Sequence, residues 1–188
     1  MAAVIDFQEF KSQVALPTLV LVGLHQYPDG DDLAAYANVL ANCRKILAHA
    51  KAHDLPVAHV RSINPKSAGD RFRYPPWIAG FEPARFHMVF DLLQPSCYSN
   101  AEFSSTMEYT NGNFAIAGML GETTCLSTAI DAYHRHHSFI YLADACACRT
   151  GGLVAQNRHE MISKMMAVYG AVMNSSPWCQ RLACRAIR

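Results

Sequence analysis

The sequence has almost no net charge and no block of one sign. Sixteen Lys and Arg stand against fifteen Asp and Glu, a formal charge of +1, and the charges are scattered. A basic stripe that would track a phosphate backbone or settle on anionic lipid is missing, so no nucleic acid or membrane partner is expected. No stretch reaches the eighteen or more apolar residues of a membrane span. The opening residues carry Asp6 and no long apolar segment, and do not read as a secretory signal. A zinc-type CxxC spacing is also missing. The nearest approach, Cys146-Ala-Cys148, is one residue short and has no second pair. Seven cysteines are an odd number in a chain large enough to fold without staples, so the thiols are read as reduced and the compartment as cytoplasmic. No repeat, low-complexity tract or linker divides the chain, which is read as a single domain over residues 1–188.

What is present is an interior. Apolar residues make up 51% of the chain and charged ones 16%, a balance that fits a globular core and excludes a disordered chain. Thr18 to Val22 is a short apolar, β-branched run after Pro17, suited to a strand buried on both faces. From Asp31 to His53, Leu33, Ala37, Leu40 and Leu47 recur at helical spacing. Pro56 to Val60 reads as a second strand. Ser62 to His87 holds Pro65, Pro75, Pro76 and Pro83, too many breakers for regular structure, and reads as a long loop carrying Trp77 and Phe81 over a site or an interface.

Met88 to Phe90 follows as a strand, Asn100 to Tyr109 as a helix and Phe114 to Gly118 as a strand. A helix from Thr124 to His136 would place Cys125, Leu126, Ala129, Ala132 and Tyr133 on one face. Phe139 to Ala143 reads as strand five. A helix with Ile162, Met165, Met166 and Tyr169 in phase comes next, then Ala171 to Met173 as strand six, with Ser176-Pro177 opening a last helix. Strands alternating with helices imply a parallel sheet covered on both faces, with ligands beyond the carboxyl ends of the strands. Those ends are Gly23 to Tyr27, Leu92 to Tyr98, Gly118 to Cys125 and Asp144 to Cys148.

The segment Ala117 to Cys125 runs from a strand end through a tight turn into a helix whose first turn holds a thiol. Free backbone N–H groups and the positive dipole end there favour thiolate, and the same N–H groups can stabilise an oxyanion. Cys125 is therefore a candidate nucleophile with an expected pKa below that of a free cysteine. The plainer alternative is that it packs as a buried core thiol. His134, His136 and His137 look like a metal cluster, but they fall at a helix end and do not share one face, so no metal is expected.

AGMLGETTCLSTAIDAYHRHHSFIYLADACA resembles the nucleophile segment of the isochorismatase-like cysteine hydrolases: a strand, Gly, a short turn, Cys, then a Thr-Ala-x-Asp-Ala helix, here Thr128 to Ala132. Pro17 to Gln26 resembles that family's first strand, Pro95 to Ser99 its Tyr-Ser segment, and Leu142 to Ala145 its strand-five end. Together with the alternation of elements, the resemblance implies a three-layer α/β/α fold with a six-stranded parallel sheet ordered 3-2-1-4-5-6. It also implies a strained, cis peptide near Leu120–Gly121, and cleavage of amide, imide or related C–N bonds by an Asp, Lys, Cys triad without a cofactor.

Only Cys125 matches that triad. Where the Asp is expected the chain reads Gly23-Leu24-His25, and where the Lys is expected it reads Phe90 to Gln94, nearest Leu92. Side chains two apart on a strand share a face, so His25 would stand on the side of the missing Asp and could serve as general base or acid. Asp91, His87 and Glu122 are weaker candidates for that duty. Gly23, Tyr27, Trp77 and Leu92 are expected to line a small-molecule pocket, as are Tyr98 from the Tyr-Ser segment and Leu120, Gly121 and Glu122 from the turn. Three functions follow. The first is hydrolysis through a covalent Cys125 intermediate. The second is a repurposed enzyme of specialised metabolism that performs an elimination, rearrangement or cyclisation. The third is a silent binding protein. A homo-oligomer is expected.

Overall fold

The computed structural model describes residues 17–26, 33–63, 74–149 and 153–185. Strand β1 (Thr18–Val22) is buried at every residue, as an unbroken apolar run covered on both faces must be. β2 (Val57–Ser62), β3 (Met88–Leu92), β4 (Asn113–Gly118), β5 (Ser138–Cys146) and β6 (Ala171–Met173) join it in one sheet. Every pairing is parallel, as the alternation implies, and the order is β3-β2-β1-β4-β5-β6, as the resemblance implies together with it. The helices are α1 (Ala37–Ala52), entered through a 3-10 turn at Leu33–Tyr36, α2 (Ala101–Tyr109), α3 (Leu126–His134), α4 (Leu153–Tyr169) and α5 (Ser175–Arg185).

Right-handed crossovers place α1, which leads from β1 to β2, on one face, and α2, α3 and α4, which lead the other way, on the opposite face. Trp178 of α5 is fully buried with its ring 6.0 Å from His49 of α1, so α5 completes the α1 layer. On the other side Phe103 of α2 meets Phe90 and Phe114 edge-on at 5.3 and 6.4 Å. Asn100 caps α2 by accepting the N–H groups of Glu102 and Phe103. Among the described residues no helix is long and apolar enough to cross a membrane.

Four details differ from the sequence reading. The helix expected from Thr124 begins as a π turn and becomes α-helical at Leu126. Its buried face uses Thr128 where Tyr133 was expected, and Tyr133 is exposed. Met165 is likewise outside the core that holds Ile162 and Met166. The last helix starts at Ser175, whose N–H and hydroxyl both donate to the Asp144 carboxylate, at 2.6 and 2.7 Å, so a distant acid takes the capping role expected of Ser176.

Candidate active site

Gly118 closes β4 with φ 133°, and a Cβ there would lie 1.9 Å from the Val22 carbonyl oxygen of β1. Only glycine lets the two strand ends approach so closely. Met119 N–H then donates to that same oxygen at 2.9 Å. Gly121–Cys125 forms one π turn, closed by Cys125 N–H on the Leu120 carbonyl at 2.9 Å, and runs into α3 with Cys125 already helical. The N–H groups of Glu122, Thr123 and Thr124 stand at the head of this turn. From the neighbouring strand end, Ala147 donates to the Gly118 carbonyl and accepts from Gly121 N–H, pinning the turn from both sides. No described peptide bond is cis, so the cis bond expected near Leu120–Gly121 is absent. The change of direction is taken up by the glycine φ and the wide turn instead.

Cys125 is fully buried. A hydrogen bond with Cys146, then burial, then the nearby Cys146, Cys97 and Glu122 push its thiol pKa well above the ordinary value. This reverses the expected depression. A helix terminus contributes roughly 0.3–1 kcal/mol when exposed, whereas full burial of an ionisable group shifts it by up to about 3–5 pH units.

His25 is buried and forms a single antiparallel bridge with Trp77, their rings 6.4 Å apart. Gln26 N–H on the Pro76 carbonyl (2.8 Å) and Ile78 N–H on the Leu24 carbonyl (3.0 Å) stitch the Pro-rich segment to the end of β1. Burial, with the Arg61 and Arg149 cations nearby, pushes the His25 pKa down to about 4, so the ring is neutral at pH 7. Glu122 Oε1 accepts the Arg149 N–H at 3.1 Å, and the Arg149 carbonyl accepts the Tyr36 hydroxyl at 2.6 Å. Burial and Glu122 hold Cys148, alongside, up at about 12.

Two weaker base candidates are engaged elsewhere. Asp91 binds Arg61 in a fork, 2.7 Å to Nε and 3.2 Å to Nη2, while the guanidinium lies over the rings of Tyr74 and Trp77. His87 Nδ1 lies 2.9 Å from His59 Nε2 and accepts Ala84 N–H at 3.2 Å. Gly23 and Leu92, which the sequence reading set where the triad's Asp and Lys are expected, are buried and offer no titratable group. Leu120 and Gly121 are buried within the turn. Tyr98 packs on Phe103 with its hydroxyl 2.7 Å from His137 Nδ1, at the far end of α3 from Cys125. Its segment is fastened to α3 by Ser96 on Asp131 (2.5 Å) and by Cys97 N–H on Thr128 (3.0 Å). Tyr27 lies outside the described residues.

The structure thus joins His25 to Trp77, and Arg149 to the Cys125 turn through Glu122; none of the contacts above joins His25 to Cys125. Arg61, Arg149 and Tyr141 were not foreseen near the site, and Cys146 fell within the marked Asp144 to Cys148 end without a role assigned to it. The signal for Arg149 was one residue away, at the end of the strand-five stretch already marked. His134, His136 and His137 line, with Tyr133, a surface cavity of about 500 Å³. Among the described residues no three His, Cys, Asp or Glu side chains are placed to hold a metal ion.

The isochorismatase domain model matches residues 4–176. No curated protein matches the chain. Among solved structures it is similar to a cysteine hydrolase from Pseudomonas syringae pv. phaseolicola, with TM-score 0.78 and 18% identity over 92% of this chain and 94% of that one. An isochorismatase from Pseudomonas putida KT2440 gives 0.73 and 16%, over 94% and 99%. A ribonuclease from Caenorhabditis elegans gives 0.71 and 16%, over 90% and 82%. At such identities the likeness is one of fold, and the third neighbour carries a different activity on it.

Proposed function

This chain belongs to the isochorismatase family, and from that membership we propose that it is a cysteine-dependent hydrolase of a small amide, imide or lactam. The observation that carries the reading is the intact turn: Cys125 follows the close-packed end of β4, at the carboxyl edge of the sheet, with three first-turn N–H groups beside it. In this reading Sγ of Cys125 attacks the carbonyl carbon and the N–H groups of the turn receive the developing oxyanion. The C–N bond then breaks, the nitrogen leaves with a proton, and water hydrolyses the thioester to the acid and free thiol. His25, neutral at pH 7, takes the role of the family's Asp by accepting the thiol proton and passing it to the leaving nitrogen. In this reading Trp77, half-buried beside His25, is the aromatic side chain that meets the substrate.

Intact-mass measurement with a panel of small amides, imides and lactams tests this. Wild-type protein should accumulate an acyl adduct on the Cys125 peptide, and Cys125→Ser should lose both the adduct and turnover. Full turnover by Cys125→Ser would overturn it. A second reading, a repurposed pocket for a non-hydrolytic step, is supported by the sequence expectation that Gly23 and Leu92, neither of them charged, stand where the triad's Asp and Lys would be.

A further inference from the structure

His59 and His87 form a contact that the proposed chemistry does not use. His59 lies in mid β2, between Leu21 of β1 and Val89 of β3, and is fully buried. Its Nε2 is 2.9 Å from Nδ1 of His87, with the ring centroids 5.0 Å apart and the planes 17° apart, so the two imidazoles meet edge to edge in nearly one plane. A third group fixes the protons. Ala84 N–H donates to the same Nδ1 of His87 at 3.2 Å, so that nitrogen carries none. The proton of the neutral His87 ring is then on Nε2, and the proton between the rings belongs to Nε2 of His59. Nδ1 of His59 is left bare; it is buried and has no hydrogen-bond partner among the described residues. The His59 ring also meets Trp77 edge-on, at 5.5 Å and 74°, and Arg61 covers that indole at 5.0 Å.

A further proton has no place in this arrangement. On His87 it would enter Nδ1, toward which two N–H groups already point. On His59 it would enter Nδ1, where no acceptor stands. The surrounding charges do not help: Lys51 of α1 bears on both rings, Arg61 stands two residues along β2, and Asp91 of β3 is taken by Arg61. In the turn before β3, Glu82 accepts the Gly80 N–H and Arg85 lies over Phe86. His25 lies across Trp77, beyond the end of β1.

We propose that the His59–His87 pair is an acid-sensitive latch on the Trp77 side of the site, shut while both rings are neutral and opened when His87 takes a proton and turns to solvent. His87 is the ring that leaves, because it is half-buried beside the exposed Arg85 and Phe86, whereas His59 is fixed within the sheet. Opening removes the acceptor of Ala84 N–H and of His59 Nε2–H together. The turn before β3 then loosens, and the ring behind Trp77 loses its hold. Burial pushes both histidines below the ordinary imidazole value, in the direction that a contact broken by protonation requires. The latch does not depend on the hydrolase reading, and its test needs no substrate.

The experiment uses the full chain with isotope-labelled histidine. At about pH 7.5 the imidazole nitrogen shifts should show both rings as the Nε2–H tautomer, and an Nδ1–H tautomer at His59 would overturn the assignment. Between about pH 7.5 and about pH 4.5 Trp77 emission should shift in step with the His87 resonance while far-ultraviolet circular dichroism stays constant. The part of the signal missing from Trp77→Phe belongs to Trp77. His87→Asn puts an amide oxygen in place of Nδ1, accepts both donors and cannot titrate, so it should keep the neutral-pH emission across the range. A shift that persists in His87→Asn with the wild-type midpoint belongs to His25 and rejects the latch. His87→Ala removes the acceptor and should show the acid-form emission already at about pH 7.5. If it matches neutral wild type, the pair does not hold Trp77; should it not fold, His87→Asn still decides. Loss of the dichroism together with the emission shift would mean global unfolding, and the proposal fails.

Discussion

The backbone N–H of Arg149 donates to Oε1 of Glu122 across 3.1 Å, tying the segment after β5 to the turn that bears Cys125. The carboxylate thus does two jobs with opposite consequences. It holds the turn in register, and its negative charge opposes ionisation of the thiol three residues on.

Glu122→Gln separates those jobs, since the amide oxygen can still accept the Arg149 N–H. Labelling of Cys125 at pH 8 should become several-fold faster with the melting temperature nearly unchanged. Glu122→Ala should instead cost about 1–2 kcal/mol, because the N–H loses its acceptor. Equal labelling rates in wild type and Glu122→Gln would show that the carboxylate charge does not reach the sulfur.

Arg61 is the clamp of the Trp77 segment, by its fork on Asp91, its bond to the Pro75 carbonyl and its stacking on two rings. Arg61→Ala should cost about 1–3 kcal/mol in denaturant unfolding and shift Trp77 emission, since the second tryptophan, Trp178, is buried against His49 of α1. Arg61→Lys should recover little, because an ammonium neither forks nor stacks. Wild-type emission and stability in Arg61→Ala would refute the clamp.

Acid should destabilise the fold well before carboxylates titrate. His25 and His59 have folded pKa values pushed down to about 4, chiefly by burial, against 6.5 when free. The unfolded chain therefore binds more protons between those values, so the stability is present above about pH 6.5 and lost as pH falls toward 4. Each ring contributes on the order of 2–3 kcal/mol over that window. Chemical denaturation at steps from pH 7 to pH 4.5 checks it, and a flat profile would contradict it.

Thr128 is buried and its hydroxyl accepts the Cys97 N–H. Thr128→Val preserves the shape and leaves that N–H unpaired, so a loss of about 1–3 kcal/mol is expected, whereas Thr128→Ser should lose less. A stability of Thr128→Val equal to wild type would mean that the bond contributes nothing.

Much of the architecture was legible because its signals are local. Thr18 to Val22 is bracketed by Pro17 and Gly23, and Ala171 to Met173 emerged with the bounds its residues suggested. The site was less legible because its contacts are not local. Arg61 and Asp91 meet only once β2 and β3 lie side by side, and spacing says nothing of that register. Tyr133 looked like core by hydrophobicity alone, yet Thr128 is the buried residue because a backbone donor from another segment needs its oxygen. The Cys125 thiol went the same way: a helix terminus can be read from residues, but depth of burial and the presence of Cys146 cannot.

The central strand also sets a schedule. Thr18 pairs with Phe114 and Val22 with Gly118, so one whole edge of β1 has no partner until the chain has been synthesised past β4. At about 5–20 residues per second that interval lasts several seconds, during which a strand apolar from Leu19 to Val22 waits open on one side. Nascent chains halted between α1 and β4 should therefore be the ones that chaperones hold, and the turn bearing Cys125 can form only after that wait has ended.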